Sequence, residues 1–324
     1  MTVIAIEEHW TTPELQDAQG ALTGDRRDAS LALNEHGDAF ERLTDLASRR
    51  LETMDEQGVD VQILSLAPPG AGVLDPDAAR EHSRTANDLA AAAQRAHPER
   101  FRWLATLPLT DPTAVADELT RSVGAGAVGA MVYGRTGARP LDDPAYDELL
   151  AAAARLEVPL FLHPQIPSAA TQAASYGGFP ESVELALSTF SWGWHLEAAT
   201  AALRLIASGA FDRHPTLQLV LGHWGELLPF WHSRLGGLSA MAGLERPASE
   251  VLRENVHLTA SGMLEPALLH HALAVTSVDR ILFSTDYPFQ KPTGEAITRF
   301  AEELTSPGDR EKFLSGNARR LFRV

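Results

Sequence analysis

Cysteine is absent from the 324-residue chain, which excludes disulfides, thiolate metal ligands and a cysteine nucleophile, while saying nothing about compartment. Lysine is nearly absent as well: Lys291 and Lys312 are the only two, both late in the chain. No apolar run reaches membrane-spanning length. The opening Met1-Thr2-Val3-Ile4-Ala5-Ile6-Glu7-Glu8 lacks a basic region and soon turns acidic, so no signal peptide is read there and the cytoplasm is the expected compartment. Positive charge is in deficit, with 27 Lys and Arg against 43 Asp and Glu, a net charge of −16 and a pI near 5.1. Nucleic acid and anionic membranes reward basic surface, so neither is expected as a partner; a small molecule is.

What is present is a globular composition, 44% hydrophobic and 22% charged, enough for one large core or two ordinary ones. Eight short apolar runs read as strands: Val3–Ile6, Val61–Leu66, Trp103–Leu107, Ala127–Val132, Val158–Phe161, Leu217–Leu221, Val256–Ala260 and Arg280–Phe283. Between them lie Ala-, Leu-, Arg- and Glu-rich helical stretches: 77–97, 112–123, 146–156, 197–208 and 266–275. Alternation of this kind, with no long Pro/Ser-rich linker, predicts a single α/β domain over residues 1–324, a (β/α)8 TIM barrel. The stretches 10–37 and 164–194 read as loop-like insertions at the C-terminal mouth, where such loops shape a pocket.

Four of the runs end in chemistry: Glu7-Glu8-His9, Leu162-His163-Pro164, Gly222-His223 and Ser284-Thr285-Asp286. In a closed parallel barrel those ends meet at one mouth. Glu7 and His9, two apart on a strand, share a face. With His163 and Asp286 they make a mixed nitrogen and oxygen shell suited to Zn²⁺ or Mn²⁺ with an open position. Each signal alone has a bland reading, a solvated acidic turn for Glu7-Glu8 and a hydrogen-bonded core residue for His163. No lysine follows the fourth strand, where Val132-Tyr133-Gly134-Arg135 stands, so a carbamylated-lysine bridge is excluded and one ion is expected.

If a helix starts at His223, Glu226 is its i,i+3 neighbour and can fix the imidazole tautomer and raise its basicity. A capping role at a helix N-terminus is the plainer reading of Glu226. Asp286, reaching both ion and substrate, can move a proton. Arg234, eight residues beyond Glu226 on the next expected helix, can reach a substrate carboxylate, although helical arginines are mostly solvated. Trp10, Trp192, Trp194 and Phe289 border the expected mouth and would suit an aromatic ligand.

Glu7-x-His9, Leu162-His163-Pro164, Leu221-Gly222-His223-x-Gly225-Glu226, Phe283-Ser284-Thr285-Asp286-x-Pro288 and Gly316-Asn317-Ala318-x-x-Leu321-Phe322 together resemble the amidohydrolase-2 group of the amidohydrolase superfamily. Its γ-resorcylate and 2,3-dihydroxybenzoate decarboxylases, with their ACMSD-like relatives, are the most similar branch. The resemblance implies one Zn²⁺ or Mn²⁺ on Glu7, His9, His163 and Asp286, no organic cofactor, and an acid/base pair of His223 and Glu226. It further implies Arg234 on the substrate, Trp192 stacked on its ring, Asp286 as proton donor, non-oxidative decarboxylation of a hydroxylated aromatic acid, and a homodimer or homotetramer. Tyr133-Gly134-Arg135 and Ala67-Pro68-Pro69-Gly70 depart from the pattern, which leaves the substrate open; Tyr133, and Phe289 at the mouth, are candidate substrate contacts. Two other readings stand beside this one. One is a hydrolase or hydratase acting on a lactone, ester or unsaturated acid with His223 as base; the other is a metal-holding barrel without turnover.

Overall fold

The computed structural model describes residues 1–324, apart from the side chain of Asp25. Eight strands form one parallel sheet in chain order, β1 (Ile4–Trp10), β2 (Val61–Leu66), β3 (Phe101–Thr106), β4 (Gly129–Tyr133), β5 (Leu160–His163), β6 (Leu219–Leu221), β7 (Val256–Thr259) and β8 (Ile281–Leu282). Ile6 N–H donates to Phe283 O at 3.1 Å and His9 N–H to Tyr287 O at 2.7 Å, which joins the last strand to the first and closes the barrel. All eight expected strands are present, and the five expected helices fall close to their spans as α2 (Pro76–Ala96), α3 (Val115–Gly124), α4 (Asp147–Leu156), α5 (Gly193–Ala207) and α6 (Pro266–Val275); α1 (Ser48–Gln57), ahead of β2, was not among the expected helices.

The period-2 alternation of the strands sorts side chains into two cores. Ile4, Ile6, Ile63, Leu104, Met131, Phe161, Val220 and Leu282 fill the barrel interior, and Ala318 and Phe322 of the C-terminal helix Asn317–Phe322 plug its lower end. The opposite strand faces, including Ala5, Leu64, Trp103, Ala130, Leu162 and Leu258, pack against the surrounding helices. The lower barrel is therefore filled, which leaves the C-terminal mouth for chemistry.

The two insertions are more ordered than their composition suggests. The first holds helices Pro13–Gly20 and Leu31–Asn34, with Ala39–Thr44 following just beyond it; Thr12 Oγ1 accepts from Leu15 N–H at 3.1 Å, with Pro13 in the first turn. The second holds Ala169–Ser175, capped by Ser168, and Glu181–Ser188. Helices this short escape a reading based on periodicity.

Candidate active site

The local fold of β1 decides which of its carboxylates faces the mouth. Ile4 and Ile6 point inward and Ala5 outward, so strict alternation would send Glu8 inward and both Glu7 and His9 outward. A bulge intervenes: Ile6 pairs with Ile63 and Glu8 with Leu64, so Glu7 is the extra residue, held at φ +69°. A glutamate in that region costs on the order of 1–2 kcal/mol. The bulge resets the phase, turning Glu7 and His9 inward together and Glu8 outward, where Gln62, Thr285 and Arg50 surround it. Glu7 and His9 thus share a face as expected, and the bulge is what turns that face into the barrel mouth.

Three strand ends bring the expected ligands together. Glu7, His9 and His163 place one ligand atom each within 4.8 Å of one another. His163 Nε2 lies 3.8 Å from Glu7 Oε1, and His9 Nε2 lies 3.4 Å from Asp286 Oδ1. The other atom of each group is already committed. His163 Nδ1 donates to Pro164 O at 2.7 Å, which leaves the lone pair on Nε2; His9 Nδ1 meets Ser65 Oγ at 3.2 Å. Glu7 Oε2 accepts from Thr259 Oγ1 at 3.0 Å and from Ser261 Oγ. The remaining atoms, Glu7 Oε1 and His9 Nε2, are buried with no hydrogen-bond partner. Buried orphan acceptors of this kind are costly unless something binds them. These donors fit a divalent cation, oxygen and imidazole nitrogen being the ligands such ions take.

Electrostatics point the same way. Burial, against the pull of His223, pushes Glu7 up to about 8 and Asp286 up to about 7. Burial, with neighbouring positive groups, lowers His9 to about 3 and His163 well below its ordinary value, so both imidazoles are neutral. The pocket withholds charge from its own carboxylates, a penalty that a cation relieves.

Beside this cluster His223 Nδ1 lies 2.8 Å from Glu226 Oε1, the expected i,i+3 pair. The turn that makes it is not the expected right-handed helix. His223, Trp224, Gly225, Glu226 and Leu227 all have positive φ, from +47° to +85°, a left-handed turn that follows β6 directly. Ser261 Oγ accepts from His223 N–H at 2.8 Å and Trp224 Nε1 donates to Met263 O at 2.9 Å, pinning the turn to the β7 loop. Burial alone would lower His223, yet the Glu226 carboxylate, with Glu7 and Asp286 behind it, raises it to about 10; Glu226 is in turn held low by His223 and His195 against its own burial. Gly222 is forced: a Cβ there would stand 2.8 Å from Glu7 Oε1 and 3.1 Å from Ser261 Oγ.

The residue that sequence reading missed is His195, whose Nδ1 lies 2.7 Å from Glu226 Oε2. Only its place three residues after Trp192 hinted at it. Among the aromatics, Phe289 lies 5.7 Å from the His9 ring, and Tyr133 and Trp194 lie 6.0 and 6.2 Å from His163, while Trp192 is exposed at the rim. Trp10 does not border the mouth: it is buried between the barrel and its helices, because after the bulge His9 faces inward and the next residue outward. Arg234 ends the tight turn His232–Arg234, exposed and without an ion pair or hydrogen bond to the cluster.

Residues 10–324 match the amidohydrolase family. The chain is 38% identical to the γ-resorcylate decarboxylase of Rhizobium sp. strain MTP-10005, over 99% of this chain and 98% of that one. A dihydroxybenzoic acid decarboxylase of Polaromonas sp. JS666, solved with bound manganese and the inhibitor 2-nitroresorcinol, superposes with a TM-score of 0.85 at 36% identity over 99% of this chain and 97% of that one. The 5-carboxyvanillate decarboxylase of Novosphingobium aromaticivorans, complexed with manganese and 4-hydroxy-3-methoxy-5-nitrobenzoic acid, gives 0.90 at 29% identity over 100% and 96%. A barrel closed in chain order, a family match over nearly its whole length and full-length similarity to these enzymes together establish that this chain belongs to the amidohydrolase family.

Proposed function

We propose that the protein is a carboxy-lyase, a metal-dependent non-oxidative decarboxylase of a hydroxylated aromatic carboxylic acid. The observation that carries the reading is the convergence of partnerless lone pairs at the barrel mouth, in a chain matching aromatic acid decarboxylases along its whole length. Glu7, His9, His163 and Asp286 are the ligands of one divalent cation, Mn²⁺ or Zn²⁺. When bound, the cation supplies positive charge that offsets the repulsion between a substrate carboxylate and an ortho phenolic oxygen in a poorly solvated pocket.

The protein's own groups do the rest. The carboxyl group of Asp286 gives its proton to the ring carbon that bears the carboxylate. The ring loses aromaticity, the bond to the carboxyl carbon breaks with its electron pair returning to the ring, and CO₂ leaves, so each turnover consumes one proton. His223, kept cationic by Glu226, faces the same space and stabilises developing negative charge. Trp192 and Phe289 hold the ring, Tyr133 contacts its substituents, and Arg234 meets a carboxylate. The alternative, hydrolysis or hydration, needs a neutral His223 as base, whereas the Glu226 carboxylate 2.8 Å from its Nδ1 favours the cationic form. The exposed Phe230, Trp231 and Met241 beside Arg234 support a homodimer or homotetramer, and a cytoplasmic location is the companion expectation.

The test is CO₂ release by Mn²⁺- or Zn²⁺-reconstituted protein on ortho-hydroxylated aromatic acids, with Asp286→Asn as control. Release by the native protein alone is expected. Silence from protein shown to hold metal would move the reading to hydrolysis or hydration.

A further inference from the structure

His195 sits in the first turn of α5 and joins two parts of the site that otherwise do not touch through hydrogen bonds. Its Nδ1 lies 2.7 Å from Glu226 Oε2 and its Nε2 lies 3.0 Å from Phe190 O. A carbonyl oxygen only accepts, and an ionised carboxylate only accepts, so both ring nitrogens carry hydrogens and donate. On the far side of the same carboxylate, Oε1 faces His223 Nδ1 at 2.8 Å. One fully buried carboxylate therefore spans two imidazoles, whose ring centroids are 4.8 Å apart. The three residues are close enough to chelate a cation. The hydrogen bonds argue otherwise: each Nδ1 is committed to a different oxygen and His195 Nε2 to a carbonyl, so His195 has no lone pair to give.

Without His195, Glu226 Oε2 would be a buried carboxylate oxygen with no donor, a costly state that is relieved by rotation of the carboxylate or uptake of a proton. Either response loosens the grip of Oε1 on His223. The second bond matters differently. Phe190 belongs to the rim segment that leads to Trp192, and this segment is folded tightly back on itself: Trp192 N–H donates to Thr189 O at 3.1 Å, and a Cβ on Gly193 would meet Ser188 O at 2.4 Å. His195 is the side chain that ties this rim to the acid/base pair.

We propose that His195 is a positioning residue with two separable tasks: its Nδ1–H fixes the Glu226 carboxylate for His223, and its Nε2–H fixes the aromatic rim through Phe190. The inference deepens the decarboxylase reading and rests on it for its kinetic arm. Asparagine places an amide nitrogen near the position of Nδ1, and glutamine places one near Nε2, so the two variants divide the tasks. In Mn²⁺-loaded enzyme, His195→Gln is expected to lower kcat roughly ten- to a hundredfold, the range for partners that orient a functional histidine, with KM nearly unchanged. His195→Asn is expected to keep kcat within about threefold and to raise KM, as the rim loosens; His195→Ala shows both losses. All three should keep the native manganese content, since no metal ligand is touched, while His195→Gln and His195→Ala lose some melting temperature to the stranded Glu226 oxygen and still fold.

A second arm needs no turnover. Long-range ¹H–¹⁵N spectra of the native protein should show both His195 ring nitrogens protonated, and Glu226→Gln should abolish that signature. The proposal is overturned if His195→Gln turns over at the native rate, if His195→Asn loses as much kcat as His195→Ala in folded protein, or if the spectra show an unprotonated His195 nitrogen. A native enzyme that releases no CO₂ from any aromatic acid would sink the decarboxylase reading alone, and the ring-nitrogen spectra would still decide His195.

Discussion

His9 Nε2 faces Asp286 Oδ1 across 3.4 Å without a hydrogen bond between them, although the two residues come from the first and last strand ends of the barrel. His163 Nε2 faces Glu7 Oε1 in the same manner at 3.8 Å. Two near-contacts without hydrogen bonds around one point predict different outcomes for their members. His163→Ala removes an imidazole whose tautomer is already fixed for ligation, and should lose the metal. Asp286→Asn keeps a weaker oxygen ligand and should retain some metal while losing proton transfer. Metal content by atomic spectroscopy, beside CO₂ release, separates the two. An Asp286→Asn enzyme running at the native rate would exclude Asp286 as the donor.

Metal affinity should depend on pH with a defined sign. In the metal-free protein burial holds Glu7 up to about 8 and Asp286 up to about 7, so at pH 6 both are largely protonated, whereas His9 at about 3 is already neutral. A cation binds Glu7 as its carboxylate and must displace its proton. Affinity for Mn²⁺ should therefore rise from pH 5.5 to about 8 and then level, with proton release near pH 6 that fades above 8. The same carboxylates, raised above their unfolded values, destabilise the metal-free protein as pH climbs through that window, so the melting-temperature gain from metal should grow with pH. Calorimetry in buffers of different ionisation enthalpy counts the protons; an affinity flat across the range would contradict these carboxylate assignments.

The barrel and most of the side-chain cluster at its mouth were legible because they follow from local pattern: apolar runs ending in Glu, His or Asp, repeated along the chain. What was not legible required three dimensions. The bulge at Glu7 reverses the phase of β1, yet nothing in Ile4-Ala5-Ile6-Glu7-Glu8-His9 announces it, because the alternation of apolar residues stops where the bulge begins. The left-handed turn at 223–227 carries one glycine among five residues with positive φ, so ordinary turn chemistry could not reveal it. His195 lies on a helix about thirty residues before Glu226, and only folding brings them together.

Gly222 offers a sharp steric test. It is the last residue before the left-handed turn, and a methyl group there would overlap Glu7 Oε1 at 2.8 Å while pressing on Ser261 Oγ at 3.1 Å and Glu226 Oε1 at 3.3 Å. Gly222→Ala needs no unusual φ, since the residue sits at −69°, so its effect is crowding alone. The nearest atom is the partnerless Glu7 oxygen proposed as a ligand, and displacing it should weaken Mn²⁺ binding at least tenfold, in the range seen when groups supporting a metal ligand are disturbed. Equilibrium dialysis with manganese checks it. Native affinity would mean that the Glu7 oxygen is not a ligand.

Arg50 tests how the outward side of the bulge is held. It is fully buried on α1, donating to Gln62 Oε1 at 3.1 Å, Asp45 O at 3.0 Å and His9 O, with its guanidinium 4.5 Å from the centre of the Tyr287 ring. It also supplies positive charge to Glu8, which burial pushes up to about 8 despite bonds from Thr285. Arg50→Met keeps most of the volume but strands those acceptors and removes the cation beside a buried carboxyl, a change that typically costs roughly 3–5 kcal/mol. Because Glu8 can take up a proton, the loss should be smaller at pH 6 than at pH 9. The sign follows from linkage: a carboxyl raised above its unfolded value costs stability as pH rises from about 4.5 through its folded value, and removing Arg50 raises that value further. Arg50→Lys should recover less than half of the loss, since one ammonium cannot reproduce the planar fork that serves three acceptors. Urea unfolding midpoints at the two pH values measure all three proteins; an Arg50→Met loss independent of pH would show that Arg50 acts through its backbone acceptors rather than through Glu8.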